Sequence, residues 1–262
     1  NAIEKRKVLL VEDNHELLNV LSNLFSSTYE VVMAHNGKEG LDKAHEEFPD
    51  IIVSDIMMPE MTGIELCETI KSDFNLCHIP IVLLTALAST QQNIEGLTKG
   101  ADDYITKPFN TSILLVRCNN LVHNRLMLQK KFQQQGYTDT EVIANNPIDQ
   151  HFLDALNSVI ENHIDDTEFN IDHLACALGL SRSSLYAKFK SLTGITPNDY
   201  ILSKKIKRAA HLLQSTQLQI TEISDMLGFG SSRYFTRCFK KSFGIAPSEY
   251  RKKENSAEKL SE

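Results

Sequence analysis

The sequence predicts two domains of different class: an α/β domain built on a five-stranded parallel sheet, then an all-α domain with two helix-turn-helix units. Three observations predict this. Short apolar runs alternate five times with amphipathic helical patterns through the first half. A segment of the second half recurs at a spacing of 49 to 50 residues. Charge is segregated, since residues 1–124 hold 9 Lys and Arg against 18 Asp and Glu, a balance of −9, whereas residues 171–253 hold 14 against 5, a balance of +9.

The first half reads in order as strand-helix pairs. Lys7 to Asp13 is an apolar run ending in two acids, followed by a helical pattern carrying Leu17, Leu18, Leu21 and Leu24, with Asp13-Asn14 in position to cap it. Tyr29 to Ala34 then precedes Gly37 to Phe48, and Asp50 to Asp55 precedes Gly63 to Asp73. Ile79 to Thr85 precedes Gln91 to Lys99, and Asp103 to Lys107 precedes Thr111 to His123. Apolar strands alternating with helices call for a parallel sheet covered on both faces. Right-handed crossovers then set every strand's carboxyl end on one edge, where such sheets bind ligands.

That edge collects Glu12, Asp13, Asp55, Thr85 and Lys107. Packed carboxylates repel one another unless a cation holds them, and hard oxygen donors with room for water suit Mg²⁺. A Lys beside the cluster pairs with a carboxylate or with a phosphoryl oxygen, and a Thr hydroxyl bonds a second such oxygen. Asp55 is then a candidate nucleophile, because carboxylates form acyl phosphates when nearby positive charge neutralises the transferring group.

In the second half, Ile171 to Gly179 matches Ile220 to Gly228, and after one inserted residue Phe189, Gly194, Ile195, Pro197 and Tyr200 match Phe239, Gly244, Ile245, Pro247 and Tyr250. Each unit predicts a helix ending at a glycine suited to the left-handed C′ position, a short turn, and a second helix capped by Ser181 or Ser231. Leu185 and Phe189, or Phe235 and Phe239, lie on the inner face of that second helix. The outer face carries Arg182, Ser183, Tyr186 and Lys190 in the first unit, and Arg233, Thr236, Arg237 and Lys240 in the second. Helix, tight turn, helix is an arrangement that places its second helix in the major groove of DNA. If about 6–10 phosphates are contacted, affinity should fall on the order of 10³–10⁵-fold between 50 and 200 mM salt.

Glu12-Asp13, Asp55 in Val-Ser-Asp-Ile-Met-Met-Pro, Thr85-Ala86 and Lys107-Pro108 resemble the receiver domain of two-component response regulators, a CheY-like, flavodoxin-like fold, over roughly 120 residues. The resemblance implies Asp55 as phosphoacceptor, with Glu12, Asp13, Asp55 and the backbone carbonyl of Met57 holding Mg²⁺. It implies Thr85 and Lys107 as the phosphoryl-sensing pair, Tyr104 as an aromatic switch, and a cis Lys107-Pro108 peptide. Haloacid-dehalogenase-type phosphatases need a second Asp where Met57 stands, which excludes them. The duplicated units resemble the AraC/XylS-type DNA-binding domain, with Asn198 to Gln214 as the linking helix bearing Lys204, Lys205, Lys207 and Arg208. In that family two recognition helices enter successive major grooves about 34 Å apart. The family's reading positions fall on Arg182, Ser183, Tyr186, Ala187, Ser232, Arg233, Thr236 and Arg237. Ser183 and Ala187 are small, and Tyr186 either stacks or packs.

The expected division is a receiver domain at 1–124, a helical extension and linker at 125–147, a DNA-binding domain at 148–253 and a tail at 254–262. Gln150 to His163 is expected as the first helix of the DNA-binding domain or as a dimer contact. The most apolar stretch, Ile79 to Ala88, is too short to cross a bilayer, and five scattered Cys without a Cys-x-x-Cys pair predict buried reduced thiols in a cytoplasmic chain. No Gly-rich nucleotide loop points to an enzyme acting on an external substrate. The expected function is a phosphorylation-dependent, sequence-specific DNA-binding transcriptional regulator, activator or repressor: a histidine kinase donates to Asp55, and a homodimer then grips promoter direct repeats or half-sites, where RNA polymerase is a further partner. The resemblance extends to the C-terminal part of hybrid sensor kinases, which would attach the chain to a membrane sensor upstream. The alternative is a receiver used for docking or dimerisation beside phosphorylation-independent DNA binding.

Overall fold

A computed structural model describes residues 5–86, 100–134, 143, 144 and 146–258. The chain divides into two units, one of residues 1–129 with 145–149, the other of residues 130–144 with 150–262. In the first unit, β1 (Arg6–Val11), α1 (His15–Ser26), β2 (Tyr29–Ala34), α2 (Gly37–Glu47), β3 (Ile51–Asp55), α3 (Gly63–Ser72), β4 (Ile81–Thr85), β5 (Asp103–Thr106) and α4 (Thr111–Gln134) follow one another. The helix expected over 91–99 lies outside the described residues. Five strands pair in parallel in the order β2-β1-β3-β4-β5.

The sheet is buried on both faces because the central stretches of β1, β3 and β4 are apolar without interruption while successive side chains point to opposite sides. Leu9, Val11, Ile52 and Leu83 pack with Ala44 of α2 and Leu66, Cys67 and Ile70 of α3. Val8, Leu10, Ile51, Val53, Val82 and Leu84 pack with Leu18, Leu21 and Phe25 of α1 and Leu114, Cys118 and Val122 of α4. Asn14 caps α1, its side chain accepting from the backbone of Glu16 and Leu17. Asp149 is fully buried, accepting from the Asn146 amide at 2.7 Å and from the Cys77 thiol at 3.4 Å. This buried carboxylate ties residues 146–149 into the first unit. Burial holds the nearby Arg125 guanidinium below its usual range, Asp149 being the largest charge opposing that shift.

The remaining helices are α5 (Pro147–His163), α6 (Ile171–Ala177), α7 (Arg182–Thr193), α8 (Pro197–Ser215), α9 (Ile220–Met226), α10 (Ser232–Phe243) and α11 (Pro247–Glu258). Helix α5 begins three residues before the expected Gln150, because Asn146 accepts from the Asp149 backbone and Pro147 fits the first turn. Duplication is visible in the packing: the Phe189 and Tyr200 rings lie 5.1 Å apart, and their counterparts Phe239 and Tyr250 lie 5.4 Å apart. Ser181 and Ser231 cap α7 and α10. All five cysteines are free, but Cys176 is exposed and Cys238 half-buried, correcting the expectation that all are buried. Cys176 lies off the face of α6 that buries Leu174 and Ala175, and Cys238 packs against the core only in part. No helix among the described residues is long and apolar enough to cross a membrane.

The glycines ending α6 and α9 share a left-handed backbone, φ +66° at Gly179 and +65° at Gly228, but not their surroundings. A Cβ at Gly179 would meet nothing within 4 Å, whereas at Gly228 it would lie 3.0 Å from the Thr167 carbonyl oxygen. Gly179→Ala should therefore cost only the backbone penalty, about 1 kcal/mol, and Gly228→Ala distinctly more. Urea denaturation of the two variants checks this, and equal costs would contradict it.

Candidate functional site

Register assembles the sheet-edge site. Val11 pairs with Ser54 across β1 and β3, so Glu12 and Asp13 follow one strand just where Asp55 ends its neighbour. Thr85 ends β4 opposite Thr106 of β5, and Lys107 comes next, its backbone N–H donating to the Thr85 carbonyl at 2.6 Å. Carboxylate oxygens of Glu12, Asp13 and Asp55 lie within 4.8 Å of one another. The Lys107 ammonium reaches Glu12 Oε2 and Asp55 Oδ1, each at 2.8 Å. Glu12 is 2% exposed and Thr85 3%. The Lys107-Pro108 peptide is cis.

Burial pushes the Glu12 carboxyl above its usual range, and the charge of Asp55 adds to this, while the hydrogen bond from Lys107 opposes it. Burial works against the charge on Lys107, but its hydrogen bonds to Asp55 and Glu12 prevail and raise it above 10.5. Helix α3 starts beside the site because Gly63 has no side chain: a Cβ there would fall 2.0 Å from the Asp55 carbonyl oxygen. Thr62 and Glu65 close a capping box around that start. Met57, two residues past Asp55, is 67% exposed. Tyr104 lies on β5, packed against the cluster of α2 and α3, and its hydroxyl is buried without a hydrogen-bond partner among the described residues. Burial pushes that hydroxyl up to about 12. Glu12, Asp13, Asp55, Thr85 and Lys107 are thus brought together, with Tyr104 paired to Leu83, two positions before Thr85.

On the helical unit, Arg182, Ser183, Ala187 and Lys190 of α7 and Arg233, Arg237 and Lys240 of α10 are exposed, while Tyr186, Ser232 and Thr236 are half-buried. Tyr186 is engaged from two sides, its hydroxyl accepting from the Asn198 amide at 2.6 Å and its ring 5.8 Å from the Arg182 guanidinium carbon. Arg182 also pairs with Asp172 at 3.2 Å, and Arg237 sits over the Tyr234 ring at 5.4 Å. The linking helix offers less free charge than its sequence suggests. Lys205 is 8% exposed and burial lowers its pKa, Lys204 pairs with Glu161 at 3.5 Å, and Arg208 pairs with Asp165 at 3.1 Å. On α7, Lys188 is buried as well. Nothing in composition or periodicity marks Asp172 and Asn198; the signal lies in comparing the two repeats position by position.

Removing Lys107 leaves buried carboxylates with no cation among them. Lys107→Ala should lower the stability of the first unit by about 1–3 kcal/mol near neutral pH, below the cost of breaking a fully buried pair because Lys107 keeps some contact with water. The raised Lys107 pKa means that its stabilisation is complete below 10.5 and is lost as pH climbs through the folded value. In the variant, burial raises the Glu12 carboxyl without the opposing Lys107 hydrogen bond, so protonating it relieves the repulsion and the deficit should be smaller at acidic than at neutral pH. Denaturation curves at both pH values measure this, and a deficit independent of pH would contradict it.

Residues 8–119 match the family described as the response regulator receiver domain, and residues 174–253 match a helix-turn-helix domain family. Histidine kinase P4 of Formosa agariphila is 39% identical over 247 residues, 94% of this chain, which spans only 18% of that kinase. The probable transcriptional regulator ycf27 of Guillardia theta is 41% identical over 114 residues, 43% of this chain and 44% of that protein. The chain thus spans less than half the length of each of these curated relatives. The signal receiver domain of a histidine kinase from Syntrophus aciditrophicus is similar at 34% identity and a TM-score of 0.43, covering 45% of this chain and 90% of that structure. With one match on the acidic sheet and the other on the duplicated helices, the chain carries a receiver domain followed by an AraC-type helix-turn-helix domain.

Proposed function

We propose that a histidine kinase phosphorylates Asp55 and that this favours a homodimer able to hold two promoter half-sites. The observation that carries this is the Lys107 ammonium 2.8 Å from both Asp55 and Glu12. Three carboxylates and one ammonium leave two formal negative charges in an all-oxygen site, which fits Mg²⁺ held by Glu12, Asp13, Asp55 and the Met57 carbonyl. When bound, the ion supplies positive charge against the oxygens of a transferring phosphoryl group. An Asp55 carboxylate oxygen bonds to phosphorus as the P–N bond of a phosphohistidine breaks and the imidazole departs. Lys107 exchanges a carboxylate partner for a phosphoryl oxygen, and the Thr85 hydroxyl donates to another. Tyr104 reports the change, its buried hydroxyl leaving the state without phosphate little to hold it in place.

In this reading the receiver is 1–124, the helical extension and linker 125–147, the DNA-binding domain 148–253 and the tail 254–262. Arg182, Ser183, Tyr186, Ala187, Lys190, Ser232, Arg233, Thr236, Arg237 and Lys240 face double-stranded DNA, and bound dimers meet RNA polymerase at the promoter. The likeness to histidine kinase P4 over nearly the whole chain, which spans 18% of that kinase, supports a place within a longer sensor kinase.

Incubation with a small phosphodonor and Mg²⁺ should load the wild type at Asp55 and tighten operator binding about tenfold or more, a coupling of ordinary size. Asp55→Asn should take up no phosphoryl group. Unchanged promoter occupancy and transcription in that variant under inducing conditions would overturn the switch and favour phosphorylation-independent binding. Removing two exposed cations, Arg233→Ala with Arg237→Ala, should abolish operator binding; a footprint that survives the pair would oppose a DNA-reading role for α10.

A further inference from the structure

The two repeats diverge at four positions that meet on one face of the first. Aligned at 49 residues through the first helix of each unit and at 50 beyond the inserted residue, Asp172, Arg182, Tyr186 and Asn198 correspond to Thr221, Ser232, Thr236 and Ser248. The first repeat joins its four side chains into a chain across α6, α7 and α8. Arg182 Nη1 donates to Asp172 Oδ1 and Oδ2 at 3.2 and 3.3 Å. The guanidinium carbon lies 5.8 Å from the Tyr186 ring centre, and Asn198 Nδ2 donates to the Tyr186 hydroxyl at 2.6 Å. The short hydroxyl side chains of the second repeat cannot span these gaps, yet that repeat packs the same core around Phe235, Phe239 and Tyr250. The fold therefore does not require the chain of contacts.

Stability does not explain it either. Arg182 and Asp172 are 57% and 63% exposed, and an ion pair so open to water adds little to folding. What the arrangement does is restrict one long side chain. The bonds to Asp172 use Nη1 alone, so Nε and Nη2 remain as a fork of two donors, the pattern that reads O6 and N7 of guanine. Docking on DNA would strip water from the pair and strengthen it, and an arginine held in advance loses less rotamer freedom on binding.

We propose that Asp172 is a positioning residue for sequence readout: with Tyr186 and Asn198 it holds Arg182 ready to read a guanine in the major groove, whereas the second repeat reads through Arg233 and Arg237. This rests on the DNA-binding reading above and assigns the first repeat one preorganised base contact in place of several, consistent with its small Ser183 and Ala187.

The test is selection of the full chain, and of its Asp172→Ala, Asp172→Asn, Arg182→Ala and Tyr186→Phe variants, on a randomised duplex library spanning two successive major grooves. Thermal unfolding first confirms that each variant is folded. Arg182→Ala should erase the guanine preference at one position. Asp172→Ala should reduce that same preference about five- to tenfold, part of the discrimination of a good bidentate pair. It should leave other positions unchanged and raise overall affinity slightly, because a negative charge leaves the interface. Asp172→Asn, which keeps an acceptor oxygen for Nη1, should restore part of the preference, and Tyr186→Phe should weaken it at that position alone. Adding Asp172→Ala to Arg182→Ala should change the preference no further. The proposal is overturned if Asp172→Ala raises affinity for every sequence with base preference intact, or if Asp172 and Arg182 act at different positions. A wild type that selects no sequence would sink the DNA-binding reading itself.

Discussion

Three carboxylates whose oxygens lie within 4.8 Å can share the edge of a sheet only if positive charge sits among them, and Lys107 supplies it. The rest of the first unit can be read as the means of delivering that one ammonium. Parallel strands set all their carboxyl ends on one side, and the order β2-β1-β3-β4-β5 makes β1 and β3 direct neighbours, so Glu12, Asp13 and Asp55 converge without any long-range search. β4 and β5 then bring Thr85 and Lys107 in from the other side. A slip of one residue in β3 would turn Asp55 to the opposite face, which is why the alternation of the two buried clusters along β1 and β3 matters to the chemistry as much as to stability.

Much of this was legible in the sequence because each device repeats. Five apolar runs, four of them ending in a polar residue, specify a sheet and the edge on which those residues gather, and the matched glycines, prolines and aromatics of the second half specify a duplicated helical unit. What was not legible is single-residue geometry. Gly63 looks like an ordinary helix start until the Asp55 carbonyl is seen where its side chain would be. Asp149 falls just before the helix expected to start at Gln150, with nothing in the local sequence to mark it as buried, whereas Asn146 and Cys77 make it so. A carboxylate can be buried only when its hydrogen-bond partners are in place, and one of those partners, Cys77, stands 72 positions earlier in the chain, a distance that local pattern does not encode.

The duplication separates what the fold needs from what the surface does. Phe189 with Tyr200 and Phe239 with Tyr250 keep nearly the same ring spacing in both repeats, since a close-packed interior penalises any change in volume. Outside that core the copies have moved apart: one carries Arg182, Tyr186 and a neighbouring acid, the other Arg233 and Arg237 with hydroxyls around them. Two helices built on one scaffold, α7 and α10, therefore present different chemistry at the surface.

Formal charge is a poor guide to how that ligand is gripped. Residues 171–253 sum to +9, yet Lys188 and Lys205 are buried, and three further cations are held by Asp172, Glu161 and Asp165. Glu161 and Asp165 lie outside the counted window, so the sum includes Lys204 and Arg208 without the acids that neutralise them. The exposed cations left on α7 and α10 are Lys190, Arg233, Arg237, Lys240 and Lys241. Counterion release depends on the phosphates actually neutralised, not on net charge. The salt dependence of DNA binding should therefore lie toward the shallow end of what a balance of +9 suggests, with a correspondingly larger share of affinity left to base contacts.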